Sequence, residues 1–234
     1  MKNKSFIFRI LAVPGAKPGV CMGNEMKIRK IFSSNRLMIA ALFFIAFFSL
    51  GGCSTKEEKQ PAVSSLYLQK GGAVKAVIAE TFDKQYYNKD EMQQMILKEA
   101  AAYNRNRGEG RISVEKVSVD KGMAYVEMTY ASAEDYAAFN DIVFFAGTPA
   151  EAQEKGYELN VVLSGVRDAQ ETIGLSDMLA MEDCRLIIVQ LQENESLVLN
   201  QKAAYVSDNT EAASNLKTLS RKEQTEGLSY IICK

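Results

Sequence analysis

One apolar run near the N-terminus most constrains how this chain can fold. It spans residues 37–50, and Ser49 is its only polar member. Four basic side chains precede it: Lys27, Arg29, Lys30 and Arg36. A basic flank, a short apolar segment and small residues at its end are typical of a secretory signal peptide. We therefore expect the folded part of the protein to be built from the residues after this run.

The length of the run argues against a permanent membrane span. As a helix, these 14 residues would cover about 21 Å, whereas the hydrocarbon core of a bilayer is about 30 Å thick. A retained transmembrane helix is the weaker alternative, and we expect the segment to be removed.

The residues around the end of the run indicate where cleavage occurs. Leu50, Gly51, Gly52 and Cys53 resemble the lipobox of bacterial lipoproteins, whose cysteine receives a diacylglyceryl group and becomes the mature N-terminus. A chance cysteine after an ordinary signal peptide is the alternative. The resemblance implies lipidation at Cys53, and two or three acyl chains hold a protein on a membrane stably. We therefore expect a protein anchored to the membrane and facing the outside of the cytoplasmic membrane.

The same features divide the chain into segments. We expect residues 1–52 to be the signal region. Met26 is the better start, so we expect 26–52 to be the lipoprotein signal peptide and 1–25 not to be translated. Residues 53–65 hold the lipidated cysteine and a polar, flexible tether. The remainder, 66–234, has a length that suits a single exported domain.

Charge and composition exclude several functions. Residues 1–52 contain 8 Lys and Arg and 1 acidic residue, which leaves 20 basic and 28 acidic residues after them. An acidic exported part argues against a nucleic-acid partner. The chain has no His and no Trp, which excludes Ser-His-Asp triads and the common zinc sites. No phosphate-binding or nucleophile motif occurs, so we expect no cofactor and no metal.

Two hairpins and a helix are predicted in the first half of the domain. Gly71 and Gly72 separate two apolar segments, as tight hairpin turns require. A helix begins after Asn88, ends at Gly108 and presents one apolar face: Met92, Met95, Ile96, Ala100 and Tyr103. Residues 111–130 form a second hairpin with a three-residue connection, Asp120 to Gly122. Apolar residues before and after Glu115 fall on alternating positions of opposite parity, so we expect a bulge near Glu115 that brings them to one face.

The second half is predicted to contain short helices and further strands. Ser132 with Asp135, and Thr148 with Glu151, have the spacing of helix caps, and a further helix starts at Ser176. Apolar runs predict strands at 142–145, 186–191, 196–199, 203–206 and 228–233, with a loop at 207–226. The fold class is therefore α+β, with a mainly antiparallel sheet built from hairpins and a few packed helices.

Few residues stand out as chemical groups. The exported location permits a disulfide between Cys184 and Cys233, and two buried free cysteines are the alternative. Tyr86, Tyr87 and Tyr136 form either a ligand face or ordinary core packing. Loosely clustered acidic residues suggest calcium, but they lack its loop spacing and fit a solvated acidic face better: Asp168, Glu171, Asp177, Glu182 and Asp183.

Several segments together carry a further resemblance. They are Ser65-Leu-Tyr-Leu, Asp135-Tyr-Ala-Ala-Phe-Asn140, Phe144-Phe-Ala-Gly-Thr148, Tyr205-Val-Ser-Asp208 and Gly227-Leu-Ser-Tyr-Ile-Ile. This succession resembles a group of uncharacterised lipobox-bearing lipoproteins of clostridia-like Gram-positive bacteria. The resemblance implies a location in the cell envelope and carries over no activity and no site residues.

Two classes of function remain open. We favour a ligand-binding or protein-binding module of the cell envelope, whose partner is an envelope protein or a glycan, over an enzyme. The alternative is a cell-wall or glycan hydrolase that uses a pair of carboxylates. A deep cleft with two facing carboxylates would favour the hydrolase, whereas a shallow exposed patch of Tyr or aliphatic side chains would favour binding.

Overall fold

The computed structural model describes residues 63–181 and 183–234. All of these residues belong to one compact unit. The predicted signal peptide, the lipobox, Cys53 and most of the tether lie outside the described residues, as does Glu182. Of the helices described, none combines the length and the apolar character needed to cross a membrane.

The described residues form thirteen strands and four helices. The strands are β1 (Ser64–Leu68), β2 (Val74–Thr81), β3 (Ile112–Asp120), β4 (Met123–Tyr130), β5 (Phe144–Gly147), β6 (Leu163–Gly165), β7 (Thr172–Ile173), β8 (Arg185–Val189), β9 (Glu195–Leu199), β10 (Ala203–Val206), β11 (Thr210–Ala212), β12 (Thr218–Arg221) and β13 (Ser229–Cys233). The helices are α1 (Lys89–Arg107), α2 (Ala133–Asn140), α3 (Pro149–Glu154) and α4 (Leu175–Ala180).

The strands are arranged in two sheets, and the α+β prediction is confirmed. Sheet A has the order β11-β12-β9-β1-β2-β4-β3, and sheet B has the order β5-β8-β13-β10-β6-β7. Every neighbouring pair described is antiparallel except β1 and β9, which are parallel. This parallel pair joins segments about 130 residues apart in the sequence.

Two hydrophobic cores lie on the two faces of sheet B. The larger core packs inner-facing side chains of both sheets against α1 and α2, and includes Ile187 and Ile231. The smaller core lies on the other face, where Leu186 and Ile232 meet side chains of α3 and α4. Burial on both faces explains why β8 and β13 are continuous apolar runs instead of alternating ones.

The two hairpins are confirmed, with one correction to a turn. β1 pairs with β2, and the register of β3 against β4 shifts between Val114 and Lys116, where the bulge is predicted. The predicted three-residue connection is wrong, because Asp120 pairs with Met123 and leaves only Lys121 and Gly122 in the turn. Both have positive φ, 47° and 76°, as a type I′ turn requires.

Helix α1 has the predicted ends but a narrower buried face. The Asn88 side chain accepts hydrogen bonds from the backbone N–H groups of Asp90 and Glu91. Buried residues form one stripe: Met92, Ile96 and Ala100. The prediction that Met95 belongs to this face is wrong, because its side chain is 41% exposed. At 100° per residue, Met95 lies about 60° around the helix from Met92.

The remaining corrections concern short elements. The Thr148 capping box is confirmed, whereas α4 begins at Leu175 and β5 begins at Phe144, each displaced slightly from its prediction. The predicted loop at 207–226 is wrong, because it contains β11 and β12. Both strands are short and mostly polar, so their pairing depends on the neighbouring strand β9 and not on an apolar pattern of their own.

Candidate functional site

Three aromatic side chains cluster in the loop between β2 and α1. Tyr86 is exposed, Tyr87 is partly buried, and Phe82 is partly buried against the larger core. We call residues 82–87 the aromatic loop. The ring centroids of Phe82 and Tyr87 are 5.0 Å apart, and those of Tyr86 and Tyr87 are also 5.0 Å apart, with the latter two rings edge to face. Tyr86 is 67% exposed, an unusual exposure for a large ring. The cluster offers flat apolar faces to a partner and hydroxyl groups for hydrogen bonds.

Backbone contacts hold the aromatic loop in place. The N–H of Phe82 donates to the carbonyl oxygen of Gly122 at 2.7 Å, and the N–H of Tyr87 donates to that of Lys84 at 3.0 Å. Asp83 and Lys84 form an exposed ion pair at 3.3 Å. Desolvation, with a smaller contribution from Tyr86, raises the pKa of Tyr87. The Tyr87 hydroxyl therefore stays protonated at neutral pH.

Tyr136 does not belong to this surface, so the idea of one face shared by Tyr86, Tyr87 and Tyr136 is wrong. Tyr136 is only 3% exposed, and its ring packs edge to face against Tyr130 and Phe144. It lies on the side of α2 that faces the larger core. The alternative of core packing is therefore confirmed for Tyr136.

Sequence reasoning missed a buried carboxyl group, Glu195. It is 7% exposed, and its Oε1 accepts a hydrogen bond from the Tyr136 hydroxyl at 3.3 Å while its Oε2 accepts one from the N–H of Gln192 at 3.2 Å. Desolvation by burial raises the pKa of Glu195 to about 7. The alternation of Glu195 with Leu197 and Leu199 along β9 is the signal that could have identified it.

Glu195 is built into the core. Both of its oxygens accept hydrogen bonds from the chain itself, which links α2 to the start of β9. The negative charge of Glu80 raises the pKa of Glu195, as burial does. A carboxyl that is neutral in part of the population at neutral pH is chemically suited to donate a proton, although here its hydrogen bonds point it into the protein.

A second buried carboxyl, Asp135, has a connecting role. Its oxygens accept hydrogen bonds from the Tyr103 hydroxyl at 3.0 Å and the Ser132 hydroxyl at 2.9 Å, and Arg111 lies at 3.4 Å. These partners come from α1, from the residue before α2 and from the residue before β3. Asp135 therefore joins three elements around the predicted cap of α2.

Cys184 and Cys233 are both buried and free. Cys233 on β13 pairs with Arg185 on β8, so Cys184 lies one residue away from the position opposite Cys233. The Cys233 side chain belongs to the larger core and the Cys184 side chain to the smaller core. This geometry favours the alternative of two free cysteines over the disulfide. Burial raises the pKa of the Cys233 thiol to about 11 and also raises that of Cys184. Both thiols are therefore poor nucleophiles.

The loosely clustered acidic residues make local contacts. Glu171 accepts a hydrogen bond from the Tyr205 hydroxyl, Asp168 accepts one from the N–H of Gln170, and Asp177 accepts one from the N–H of Gly174 at the start of α4. Within the described residues no group of three or more metal-ligating side chains is close enough to hold an ion.

Two of the segments that carry the resemblance contact each other. The Ser207 hydroxyl accepts a hydrogen bond from the N–H of Tyr230 at 2.9 Å. Beside it, the Asn209 side chain donates to the carbonyl oxygens of Glu226 and Leu228 at 3.2 and 3.1 Å. Asn209 is 7% exposed. These contacts attach the segment before β13 to the turn after β10, so the two motifs have a structural role.

Replacing Asn209 with alanine is expected to lower the free energy of unfolding by about 2 kcal/mol. Its amide donates to the carbonyl oxygens of Glu226 and Leu228, and its Oδ1 accepts from the buried Ser207 and Thr210 hydroxyls. Asp208→Ala is the matched control, since the Asp208 side chain is exposed. Urea denaturation of the three proteins measures the difference. Equal losses in the two variants would contradict a special role for the Asn209 amide.

Comparison with known proteins identified no relative of this chain. No family model, no curated protein and no solved structure matches the chain. The proposed function therefore depends on the chemistry of the aromatic loop and of the N-terminal sequence.

Proposed function

We propose that this protein is a lipid-anchored module on the outer side of the cytoplasmic membrane, and that it binds a partner in the cell envelope. The basic flank, the apolar run and the lipobox support the location. The aromatic cluster of Phe82, Tyr86 and Tyr87, in which the Tyr86 ring is exposed, is the observation that supports binding.

The chemistry of the aromatic loop is suited to recognition. Tyr side chains supply a large contact area for the loss of few rotatable bonds, which is why they are frequent in binding surfaces. The backbone contacts to Gly122 and Lys84 hold the loop before any partner arrives, and this reduces the entropy lost on binding. Because Lys84 is paired with Asp83, the surface favours a neutral amphipathic partner over a strongly charged one.

The proposed anchoring is tested by replacing Cys53. Expressed from the full chain, Cys53→Ala is expected to remain as uncleaved precursor or to appear in the soluble fraction, because no residue is left to accept the diacylglyceryl group. Membrane fractionation and mass spectrometry of the N-terminus measure this outcome. A variant that is still processed normally and remains bound to the membrane would contradict the lipobox.

Binding is tested by crosslinking the anchored protein in its own cells. Tyr86→Ser is expected to reduce the yield of crosslinked partner, whether that partner is a protein or a glycan. Val162→Ser is the matched control, since Val162 is 66% exposed and Tyr86 is 67% exposed. Equal crosslinking by Tyr86→Ser and the wild type would contradict binding through the aromatic loop.

The hydrolase alternative has one candidate acid, Glu195, whose pKa is raised by burial but whose oxygens accept hydrogen bonds inside the core. A general acid of a glycoside hydrolase has a raised pKa and a second carboxyl group opposite it. Incubation of the purified protein with cell wall, beside Glu195→Gln, distinguishes the two functions. Release of soluble wall fragments by the wild type and not by Glu195→Gln would replace the binding module with the hydrolase.

A further inference from the structure

The first strand of sheet A, β1, starts at the end of the sheet where β2 finishes and the aromatic loop begins. Ser65 pairs with Val77 in the antiparallel ladder of β1 and β2. One residue earlier, the Ser64 hydroxyl accepts a hydrogen bond from the N–H of Ala79 at 3.1 Å. Val63, the first described residue, therefore lies beside the end of β2, from which the chain continues into Phe82.

The turn between β3 and β4 lies at this end as well. Thr81 pairs with Met123, and the N–H of Phe82 donates to the carbonyl oxygen of Gly122. The exposed Lys121 therefore lies near the aromatic loop. We define the tether-end surface by six side chains of this end: Val63, Phe82, Lys84, Tyr86, Tyr87 and Lys121.

The sequence limits how far the predicted lipid can lie from this surface. Val63 follows Cys53 by ten residues, and a chain of that length spans at most about 35 Å when fully extended. If Cys53 carries the lipid, as the proposed function requires, the tether-end surface is the part of the domain nearest to the bilayer along the chain.

We propose that, while no envelope partner occupies the aromatic loop, the tether-end surface docks on the bilayer of the membrane that holds the anchor, with the Tyr86 ring in the headgroup layer. Tyr is enriched at membrane interfaces because its ring is apolar and its hydroxyl is polar. Lys121 can extend its apolar stem along the same layer and keep its ammonium group in water. This inference rests on the proposed function, because it requires the lipid at Cys53.

Because the domain is anchored, a weak contact with the bilayer is enough for docking. A tethered domain meets the bilayer at a high effective concentration, so docking costs less than it would for the free domain. Charge is a secondary contribution, since Asp83 pairs with Lys84 and Asp120 is the neighbour of Lys121. We therefore expect docking to occur on vesicles of phosphatidylcholine alone and to persist when phosphatidylglycerol is added.

The test uses the processed, lipidated protein in such vesicles, with a fluorophore on Gln85→Cys. Gln85 is exposed in the aromatic loop, and labelling there leaves all three rings intact. The control label is on Val162→Cys, whose position in the loop before β6 is as exposed as Tyr86. Cys184 and Cys233 are buried and are expected to stay unlabelled. Spin-labelled lipid in the vesicles quenches a fluorophore only near the headgroup layer.

The label at position 85 is expected to lose most of its fluorescence, and the label at position 162 to keep it. Adding Tyr86→Ser to the labelled Gln85→Cys protein is expected to restore the signal. Equal quenching at both positions, or no effect of Tyr86→Ser, would overturn the proposal.

The outcomes separate this inference from the proposed function. Lipidated protein without quenching at position 85, combined with Tyr86-dependent crosslinking to an envelope protein or glycan, would overturn bilayer docking and support the binding module. Absence of lipid on Cys53 in mass spectrometry would overturn both.

Discussion

Ile96→Asp is expected to unfold the domain, whereas Met95→Asp leaves it folded. Ile96 is completely buried on α1, in the core that also contains side chains of both sheets. An aspartate there would place a charge among apolar side chains, at a cost of several kcal/mol. That cost is comparable to the whole stability of a typical domain, about 5–15 kcal/mol. Circular dichroism and urea denaturation of the two variants measure the difference.

Met95→Asp is the matched control, since the two positions are adjacent on one helix and the substitution is identical. Met95 is 41% exposed, so its carboxylate can remain in water, and we expect a change below about 1 kcal/mol. Wild-type stability of Ile96→Asp would mean that α1 does not pack on the sheets as described. A large loss of stability in Met95→Asp would support the wider apolar face that the sequence pattern predicts.

Glu195→Gln is expected to stabilise the protein above neutral pH and to have little effect in acid. The pKa of Glu195 is raised from its ordinary value of 4.5 to about 7, because burial disfavours its charged form. Between these values the folded chain binds more protons at this site than the unfolded chain, so stability falls as pH rises. The favourable contribution is present below about pH 4.5 and is lost above about pH 7.

The expected size follows from the same values. Each tenfold difference in proton affinity corresponds to about 1.4 kcal/mol, so the stabilisation by Gln at pH 8 is on the order of 3 kcal/mol. The amide keeps both contacts, since its oxygen can accept from Gln192 and its NH2 can donate to the Tyr136 hydroxyl oxygen.

Urea denaturation between pH 5 and pH 8 tests this expectation, with Glu193→Gln as the control. Glu193 is exposed and lies two residues before Glu195, so its replacement is expected to leave the pH dependence of stability unchanged. If Glu195→Gln were less stable than the wild type at pH 8, the carboxylate would be ionised and stabilised in the folded protein.

Local signals in the sequence were sufficient for many elements. The cap at Asn88, the capping box at Thr148, the glycine turn before β2 and the bulge near Glu115 are all confirmed. Each depends on residues within a few positions of one another, where backbone geometry and short-range hydrogen bonds decide the conformation. The α+β class follows because these elements are hairpins and isolated helices.

The candidate site was predicted only in part. Tyr86 and Tyr87 were identified by residue type, but their exposure and the separation of Tyr136 from them depend on which side of each element meets the core. Glu195 was not identified, because its burial depends on α2 and on the neighbouring strands of sheet A. A pattern of alternation indicates one face of a strand, but the partner that covers this face is distant in sequence.

The sequence by itself determined the local turns and caps and the fold class, and the proposed location rests on it alone. The tertiary structure decided the parallel pairing of β1 with β9, the polar strands β11 and β12, the exposure of Met95 and the separation of Cys184 from Cys233. Each of these depends on contacts between segments far apart in the chain. A local pattern does not predict such contacts, because the free energy of burial depends on the assembled core.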